Sequence, residues 1–152
     1  MKSDGFICRV LVGLDALPYY YGVPLAKFSN KSLSHLGTCH PRLIRLFDEV
    51  IVHYDCTIIE GHRTSERQSE LYRTGASKLL VGKHNMTPSM AVDVAPCPID
   101  WEDTKRFYHF GGYVKAWAHA LDIKIIWGGD WDSDNDFRDQ RFHDLVHFEL
   151  SD

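Results

Sequence analysis

The sequence lacks several features that would define a class of protein at once. No stretch approaches about 18 consecutive apolar residues, the length typical of a transmembrane helix. Its four cysteines, Cys8, Cys39, Cys56 and Cys97, form no C-x-x-C pair, so we expect free thiols rather than a cysteine zinc site or a disulfide framework. The formal net charge of −4 gives no electrostatic reason to expect nucleic acid or a membrane surface as a partner.

The N-terminal segment, residues 1–27, has the least clear pattern of the chain. Basic residues precede a short apolar run, but Asp15 and Pro18 interrupt that run, which makes it a poor match to a signal peptide. We therefore expect synthesis in the cytoplasm, with this segment as an extended arm on a single domain over residues 1–152. A domain of this length buries about 70% of its unfolded surface and needs no disulfide bonds or structural metal to fold.

Hydrophobic periodicity predicts helices and strands after this arm. Apolar residues recur at three- and four-residue spacing in 43–51 and in 103–121, as in amphipathic helices. Ser65 with Gln68 three residues later resembles a capping box and predicts another helix. Alternating or β-branched apolar residues predict strands, which lie at 56–59, 90–95, 123–127 and 146–150. This order favours an α+β fold around a small, mainly antiparallel sheet.

Nine histidines are the one unusual feature of the composition. His84 in a loop, Asp93 on a predicted strand and His147 on the last strand could meet at one metal ion. Two imidazoles and one carboxylate with an open fourth position form the ligand set of a catalytic zinc. Asp144 on the last segment is then the natural candidate for a general base beside the zinc water. Each residue alone is weaker, because a single histidine is seldom a ligand and Asp93 could be a surface strand residue.

These residues lie in motifs that resemble a known family, the metallopeptidases that include D-alanyl-D-alanine carboxypeptidases and L-alanyl-D-glutamate peptidases. The resemblance covers roughly residues 28–150 and is strongest to the single-domain phage endolysins. The motifs are Lys83-His84, Ser89-Met90-Ala91-Val92-Asp93-Val94, Asp144-Leu145-Val146-His147-Phe148-Glu149, Glu60-Gly61-His62-Arg63-Thr64-Ser65-Glu66-Arg67-Gln68 with Leu71-Tyr72 and Gly75, and Trp127-Gly128-Gly129-Asp130-Trp131.

The resemblance implies one zinc ion bound by His84, Asp93 and His147, in the fold shared by D,D-peptidases and hedgehog-type proteins. It makes Asp144 the base that activates the zinc water and passes the proton to the leaving amine. It makes Arg63 the residue that holds the scissile carbonyl or a substrate carboxylate. Further candidates for contacts with the substrate are Gln68, His143 and Trp127.

The resemblance also implies a substrate and a setting. We expect a monomeric enzyme that cuts the stem peptide of bacterial peptidoglycan between L-alanine and D-glutamate, as a phage endolysin that acts on the cell wall after release. Two alternatives remain: a D-alanyl-D-alanine carboxypeptidase with the same zinc and base, and a non-catalytic zinc-containing binding module, which has no use for Asp144. The sequence departs from the family that it resembles at Gly82. A serine is usual at this position, so a hydrogen bond that supports the site could be missing.

A rival motif overlaps the last segment. His143-Asp144-Leu145-Val146-His147 also matches a variant of the H-E-x-x-H zinc motif, with aspartate in place of glutamate. That motif requires a helix, whereas the closing residues alternate like a strand. We therefore expect a strand, with His143 lining the cleft without binding the metal.

An acidic run precedes that segment. Aspartates alternate as in a calcium loop, at Asp130, Asp132, Asp134 and Asp136. The central glycine of such a loop is replaced by Asn135, and the final acidic ligand by Arg141. We expect a solvated acidic loop, with a bound Ca2+ as the alternative.

Overall fold

The computed structural model describes residues 19–20, 23–24 and 26–151. Two short strands, β1 (Tyr19–Tyr20) and β2 (Val23–Pro24), pair antiparallel in the arm. Residues 1–18, which include the segment compared with a signal peptide, lie outside the described residues. Within the described part of the chain, no helix has the length and apolar character needed to cross a membrane.

A four-stranded sheet forms the centre of the fold. Its strands are β3 (Cys56–Glu60), β4 (Ala91–Pro96), β5 (Ile125–Trp127) and β6 (His147–Leu150). They lie in the order β3-β4-β6-β5, and each neighbouring pair is antiparallel. Strand β6 is therefore an inner strand of the sheet, and the prediction of an α+β fold with an antiparallel sheet is confirmed.

The described residues also form four α-helices. They are α1 (Asn30–Leu36), α2 (Pro41–His53), α3 (Ser65–Arg73) and α4 (Thr104–Ala120), with a short 3-10 turn at Lys83–Asn85. Helices α2 and α4 pack on each other, α4 also packs on β4 and β5, and α1 packs on β3. The largest buried side chains fill the space between these layers: Trp127, Phe47, Phe110 and Phe148.

Helix α4 follows its sequence pattern closely. Asp103 caps its first turn, because the carboxylate accepts a hydrogen bond from the backbone N–H of Arg106. Phe107, Phe110 and Val114 then recur at three- and four-residue spacing and are all buried. The helix predicted over 103–121 is confirmed.

The starts of α3 and β5 differ from the predictions for local reasons. The N-cap of α3 is Thr64, whose hydroxyl accepts from the backbone N–H of Arg67, so Ser65 and Gln68 form no capping box. Strand β5 begins at Ile125, two residues later than predicted. The N–H of Ile123 instead donates to the carbonyl of Ala118 at the end of α4, and this apolar residue closes the helix.

One cross-strand row of the sheet carries three polar residues. In the pairing register Glu60 lies opposite Asp93, and Asp93 lies opposite His147. The register of β3 shifts between Ile58 and Glu60, as at a β-bulge, which turns the following side chain to a new direction. An extra residue in β3 thus brings Glu60 into the same row.

Two adjacent glycines in α4 test how tightly this helix is packed on the sheet. A Cβ at Gly111 would lie 2.4 Å from the Trp127 ring, whereas a Cβ at Gly112 meets nothing within 4 Å. We expect Gly111→Ala to lower the free energy of unfolding by about 1–3 kcal/mol, because the core has no room for the methyl group. Gly112→Ala, the matched control, should raise it by about 1 kcal/mol through helix propensity. Urea unfolding of both variants measures the difference, and equal effects would contradict the packing described.

Candidate active site

Three buried side chains converge at one end of the sheet. His84 comes from the 3-10 turn, Asp93 from β4 and His147 from β6. The Nε2 atom of His84 lies 3.1 Å from Asp93 Oδ1 and 3.3 Å from His147 Nδ1, and the third separation, His147 Nδ1 to Asp93 Oδ1, is 3.2 Å. These three atoms can bind one metal ion together.

The outer hydrogen bonds fix which nitrogen of each histidine faces the centre. Nδ1–H of His84 donates to the carbonyl oxygen of Gly61 at 2.7 Å, so the lone pair of Nε2 points inward. His147 is turned the other way, because its Nε2–H donates to Glu149 Oε2 at 3.0 Å and its Nδ1 points inward. Each acceptor, a carbonyl or a carboxylate, determines the tautomer of its histidine.

The centre therefore has acceptor atoms facing one another, and it requires a cation. Burial by itself would raise the pKa of Asp93, but the hydrogen bond from protonated His147 holds it well below its usual range. Burial by itself would lower the pKa of His147, but hydrogen bonds to Asp93 and Glu149 raise it to about 9. In the metal-free protein a proton on His147 supplies the positive charge that a metal ion can replace.

Asp144 lies beside this centre, on the loop that precedes β6, and lines the same cleft. The position of the Asp144 backbone depends on Gly128, because a Cβ at Gly128 would lie 2.3 Å from the carbonyl oxygen of Asp144. Backbone hydrogen bonds from Asp144 N–H to Gly128 and from His147 N–H to Asp144 hold the loop. Burial and the charge of Asp93 raise the pKa of the Asp144 carboxyl, and a raised pKa suits a group that takes and returns a proton.

Arg63 lines the cleft but is largely committed to protein partners. Its Nε donates to Glu60 Oε2 at 2.9 Å, and its Nη2 donates to the same oxygen and to Asp93 Oδ2 at 3.2 Å. Its Nη1 donates to the side-chain oxygen of Gln68 at 3.0 Å. The guanidinium thus supports Asp93 from behind, and Nη1 retains one further N–H that could reach a substrate oxygen.

The three residues predicted to contact substrate, Trp127, Gln68 and His143, differ in exposure and in the part of the structure in which they lie. Trp127 is 1% exposed and packs in the core, so the prediction that it touches substrate is wrong. Gln68 is 2% exposed and its amide donates to Ser77 Oγ and to the Leu79 carbonyl, which makes it a support for Arg63 and the following loop. His143 is exposed beside Asp144 in a second, apolar cleft, where it lies 3.2 Å from the hydroxyl of Tyr108.

The helical zinc motif considered for the last segment does not form. Residues 143–146 are loop and turn, and His147 begins a strand. His143 is not among the residues that converge on the centre. The strand expected from the alternating pattern is confirmed. Gly82 has no side chain to support the site, and the outer hydrogen bond of His84 goes to the Gly61 carbonyl.

The acidic loop brings only part of its predicted set together. Carboxylate oxygens of Asp130, Asp132 and Asp134 lie within 4.8 Å of one another. Asp136 is turned away, because both of its carboxylate oxygens accept hydrogen bonds from Arg138. The alternative of a calcium loop with four aspartates is therefore corrected to a group of three.

Two carboxylates beside the centre were not predicted as site residues from the sequence. Glu149 was noted only within a family motif, although it shares a strand face with His147. Glu60 was noted only within a family motif, and a bulge that the sequence does not reveal brings it beside Asp93. The signal that could have identified Glu149 is its position two residues after His147, a candidate metal ligand, on the same predicted strand.

Fold and site together define the class of the protein. The structure resembles the crystal structure of the L-Ala D-Glu endopeptidase ChiX of Serratia marcescens, with a TM-score of 0.67 and 26% identity over 82% of this chain and 90% of that one. This is a peptidase fold. The sequence is also 29% identical over 120 residues to the L-alanyl-D-glutamate peptidase of Escherichia phage T5, covering 75% of this chain and 88% of that relative. The profile of the phage L-alanyl-D-glutamate peptidases matches residues 25–151, and the chain belongs to this family.

The protonated His147 leads to a prediction about metal binding. At pH 7 the metal-free side chain is protonated on both ring nitrogens, since its pKa is about 9. A metal ion can bind Nδ1 only after the proton on that atom leaves. We expect about one proton to be released per ion bound, and the apparent affinity to rise about tenfold per pH unit up to that pKa. Calorimetry in two buffers of different ionisation enthalpy measures the release. Heats that do not depend on the buffer would contradict the assignment.

Proposed function

We propose that the protein is a metal-dependent peptidoglycan hydrolase that cuts the stem peptide between L-alanine and D-glutamate. The observation that carries this proposal is the group of His84, Asp93 and His147 with a carboxylate, Asp144, beside it in an open cleft. Family membership and both named relatives support the bond that is cut. The same comparisons favour this activity over a D-alanyl-D-alanine carboxypeptidase.

Zinc is the metal that we propose for the site. Bonds of about 2.0–2.1 Å at tetrahedral angles place ligand atoms about 3.3 Å apart, and the three inward atoms are separated by 3.1, 3.2 and 3.3 Å. Two imidazoles and one carboxylate also match the donors of catalytic zinc sites, which keep a fourth position open. When bound, zinc supplies Lewis acidity, which polarises a carbonyl and lowers the pKa of a coordinated water.

Asp144 performs the proton transfers in the proposed mechanism. As a carboxylate it takes a proton from the attacking water, and as a carboxylic acid it gives that proton to the amine of D-glutamate when the peptide bond breaks. In the metal-free protein burial raises the pKa of this carboxyl, and the same burial favours the neutral acid that the second transfer needs. Gly128 holds the backbone of this residue close to the centre, so the carboxylate is positioned before substrate binds.

Positive side chains along the cleft suit the acidic half of the substrate. Arg63, Arg67, Lys78 and Lys83 line it together with Asp144 and the metal-binding group. We propose that the spare N–H of Arg63 Nη1 donates to the scissile carbonyl oxygen as negative charge develops on it. The other cations attract the carboxylates of D-glutamate and of the residues that follow.

A non-catalytic zinc module is the alternative from another class. Such a protein needs the three ligands but no base, and Asp144 is the feature that separates the two functions. A single catalytic domain that acts as a monomer on the cell wall after release is part of the proposal and stays a prediction.

Asp144→Asn gives the direct test. The amide keeps the shape of the side chain but cannot accept a proton, so we expect zinc content to stay at one per chain while activity falls by about 10²–10⁴-fold. Mass spectrometry of purified murein digested by each protein measures activity and also identifies the bond that is cut. The wild-type products should begin with D-glutamate.

The matched control is Asp48→Asn, an exposed aspartate on α2 far from the cleft in sequence, which should digest murein like wild type. Release of free D-alanine with otherwise intact stems would refute the endopeptidase activity and support the carboxypeptidase. Full activity of the Asp144 variant would refute the assigned base.

We propose Ca2+ as a second ion at Asp130, Asp132 and Asp134. The support is that Asp130 is fully buried and its Oδ1 has no hydrogen-bond partner among the described residues, while its Oδ2 accepts from Lys115. Oxygen-only ligands suit this ion. Millimolar Ca2+ should raise the melting temperature of wild type but not of Asp134→Asn, as followed by circular dichroism. Equal shifts in both proteins would place the ion elsewhere.

A further inference from the structure

Glu149 is a carboxylate in the cleft that the proposed mechanism does not use. It lies on β6 two residues after His147, and its Oε2 accepts a hydrogen bond from His147 Nε2 at 3.0 Å. Its side chain is 17% exposed, against 11% for that of His147. A glutamate that is buried to this extent loses much of its hydration. Its hydrogen-bond partner is His147, the third residue of the metal-binding group.

The backbone of Glu149 is held on both sides. Strand β6 lies between β4 and β5, and Glu149 is opposite Ala91 on one side and Ile126 on the other. The next residue, Leu150, accepts a hydrogen bond from Lys83 Nζ at 2.9 Å. Because side chains two apart on a strand share a face, the rigid strand brings the carboxylate to the outer edge of the His147 ring.

This contact selects one of the two forms of a neutral imidazole. A carboxylate only accepts hydrogen bonds, so the proton of His147 must be on Nε2. The lone pair of Nδ1 then points at the centre, 3.2 Å from Asp93 Oδ1. Without an acceptor at the outer edge, the ring is free to rotate and to carry its proton on Nδ1, and both changes remove the ligand atom.

We propose that Glu149 is a positioning residue that fixes the tautomer and the rotation of His147 and thereby sets the affinity of the site for its metal. The inference rests on the metal site of the proposed function but not on the bond that is cut. Glu149 does not itself reach the metal position, because its carboxylate lies at Nε2, on the opposite edge of the ring from Nδ1. Outer partners of this kind contribute about 10–100-fold to metal affinity.

The test compares Glu149→Ala with Glu149→Gln. The amide oxygen of glutamine still accepts from Nε2–H, whereas alanine offers no acceptor. We expect Glu149→Ala to weaken zinc binding by about 10–100-fold and Glu149→Gln to weaken it only a few-fold, as measured by competition with a chromophoric chelator. The matched control is Glu49→Ala, an exposed glutamate on α2, which should bind zinc like wild type.

Two further measurements separate positioning from other roles. Nitrogen-15 NMR of the zinc-loaded wild type and glutamine variant should show a protonated Nε2 on His147, with Nδ1 as the metal-bound nitrogen. At saturating zinc, the alanine variant should digest murein with an unchanged KM. A raised KM with wild-type zinc affinity would identify Glu149 as a substrate contact and overturn the inference.

The remaining outcomes are also decisive. Equal zinc affinities of the alanine variant and wild type would overturn the inference, as would equal losses in the alanine and glutamine variants. Failure of the wild type to bind zinc would overturn the metal site and this inference with it. Zinc binding that responds to Glu149 in a protein that leaves murein intact would support the inference and refute the proposed function instead.

Discussion

The pairing of Asp93 with His147 across β4 and β6 is the constraint on which the site depends. The two residues are direct partners in the register, so their side chains leave the sheet on the same face at the separation fixed by two neighbouring strands. A slip of one residue in this pairing would turn one of them to the other face. Buried apolar residues on the opposite face, Val92 and Phe148, make such a slip costly, and the core therefore fixes the site.

Four carboxylates lie around the centre, and their surroundings give them different roles. Asp93 Oδ1 lies 3.1 Å and 3.2 Å from the inward nitrogens of His84 and His147, and Glu60 neutralises much of Arg63, the residue behind Asp93. Glu149 accepts from the outer edge of His147. Burial and the neighbouring charge of Asp93 raise the pKa of Asp144. Position in the fold, rather than residue type, thus separates a proposed metal ligand, two supports and a group suited to proton transfer.

The sequence was sufficient for the elements and the fold class, but not for which side chains face the cleft. Alternation identified the last strand, and three- and four-residue spacing identified α4, because both patterns come from burial on one face. Trp127 was wrongly predicted to contact substrate, because a residue within a family motif can instead pack in the hydrophobic core. Gln68 was misread as a cap because its amide turns to Arg63 and a distant loop. Such choices depend on tertiary neighbours, which local patterns do not contain.

The two histidines are supported in different ways, and the difference decides where the site can be tuned. His84 donates to the backbone carbonyl of Gly61, an acceptor that no side-chain substitution removes. His147 donates to a side chain, Glu149, which a single substitution can change while the sheet stays intact. A carboxylate also attracts the partial positive charge of the ring more strongly than a carbonyl does. The β6 side of the centre is therefore where metal affinity can vary without a change of fold.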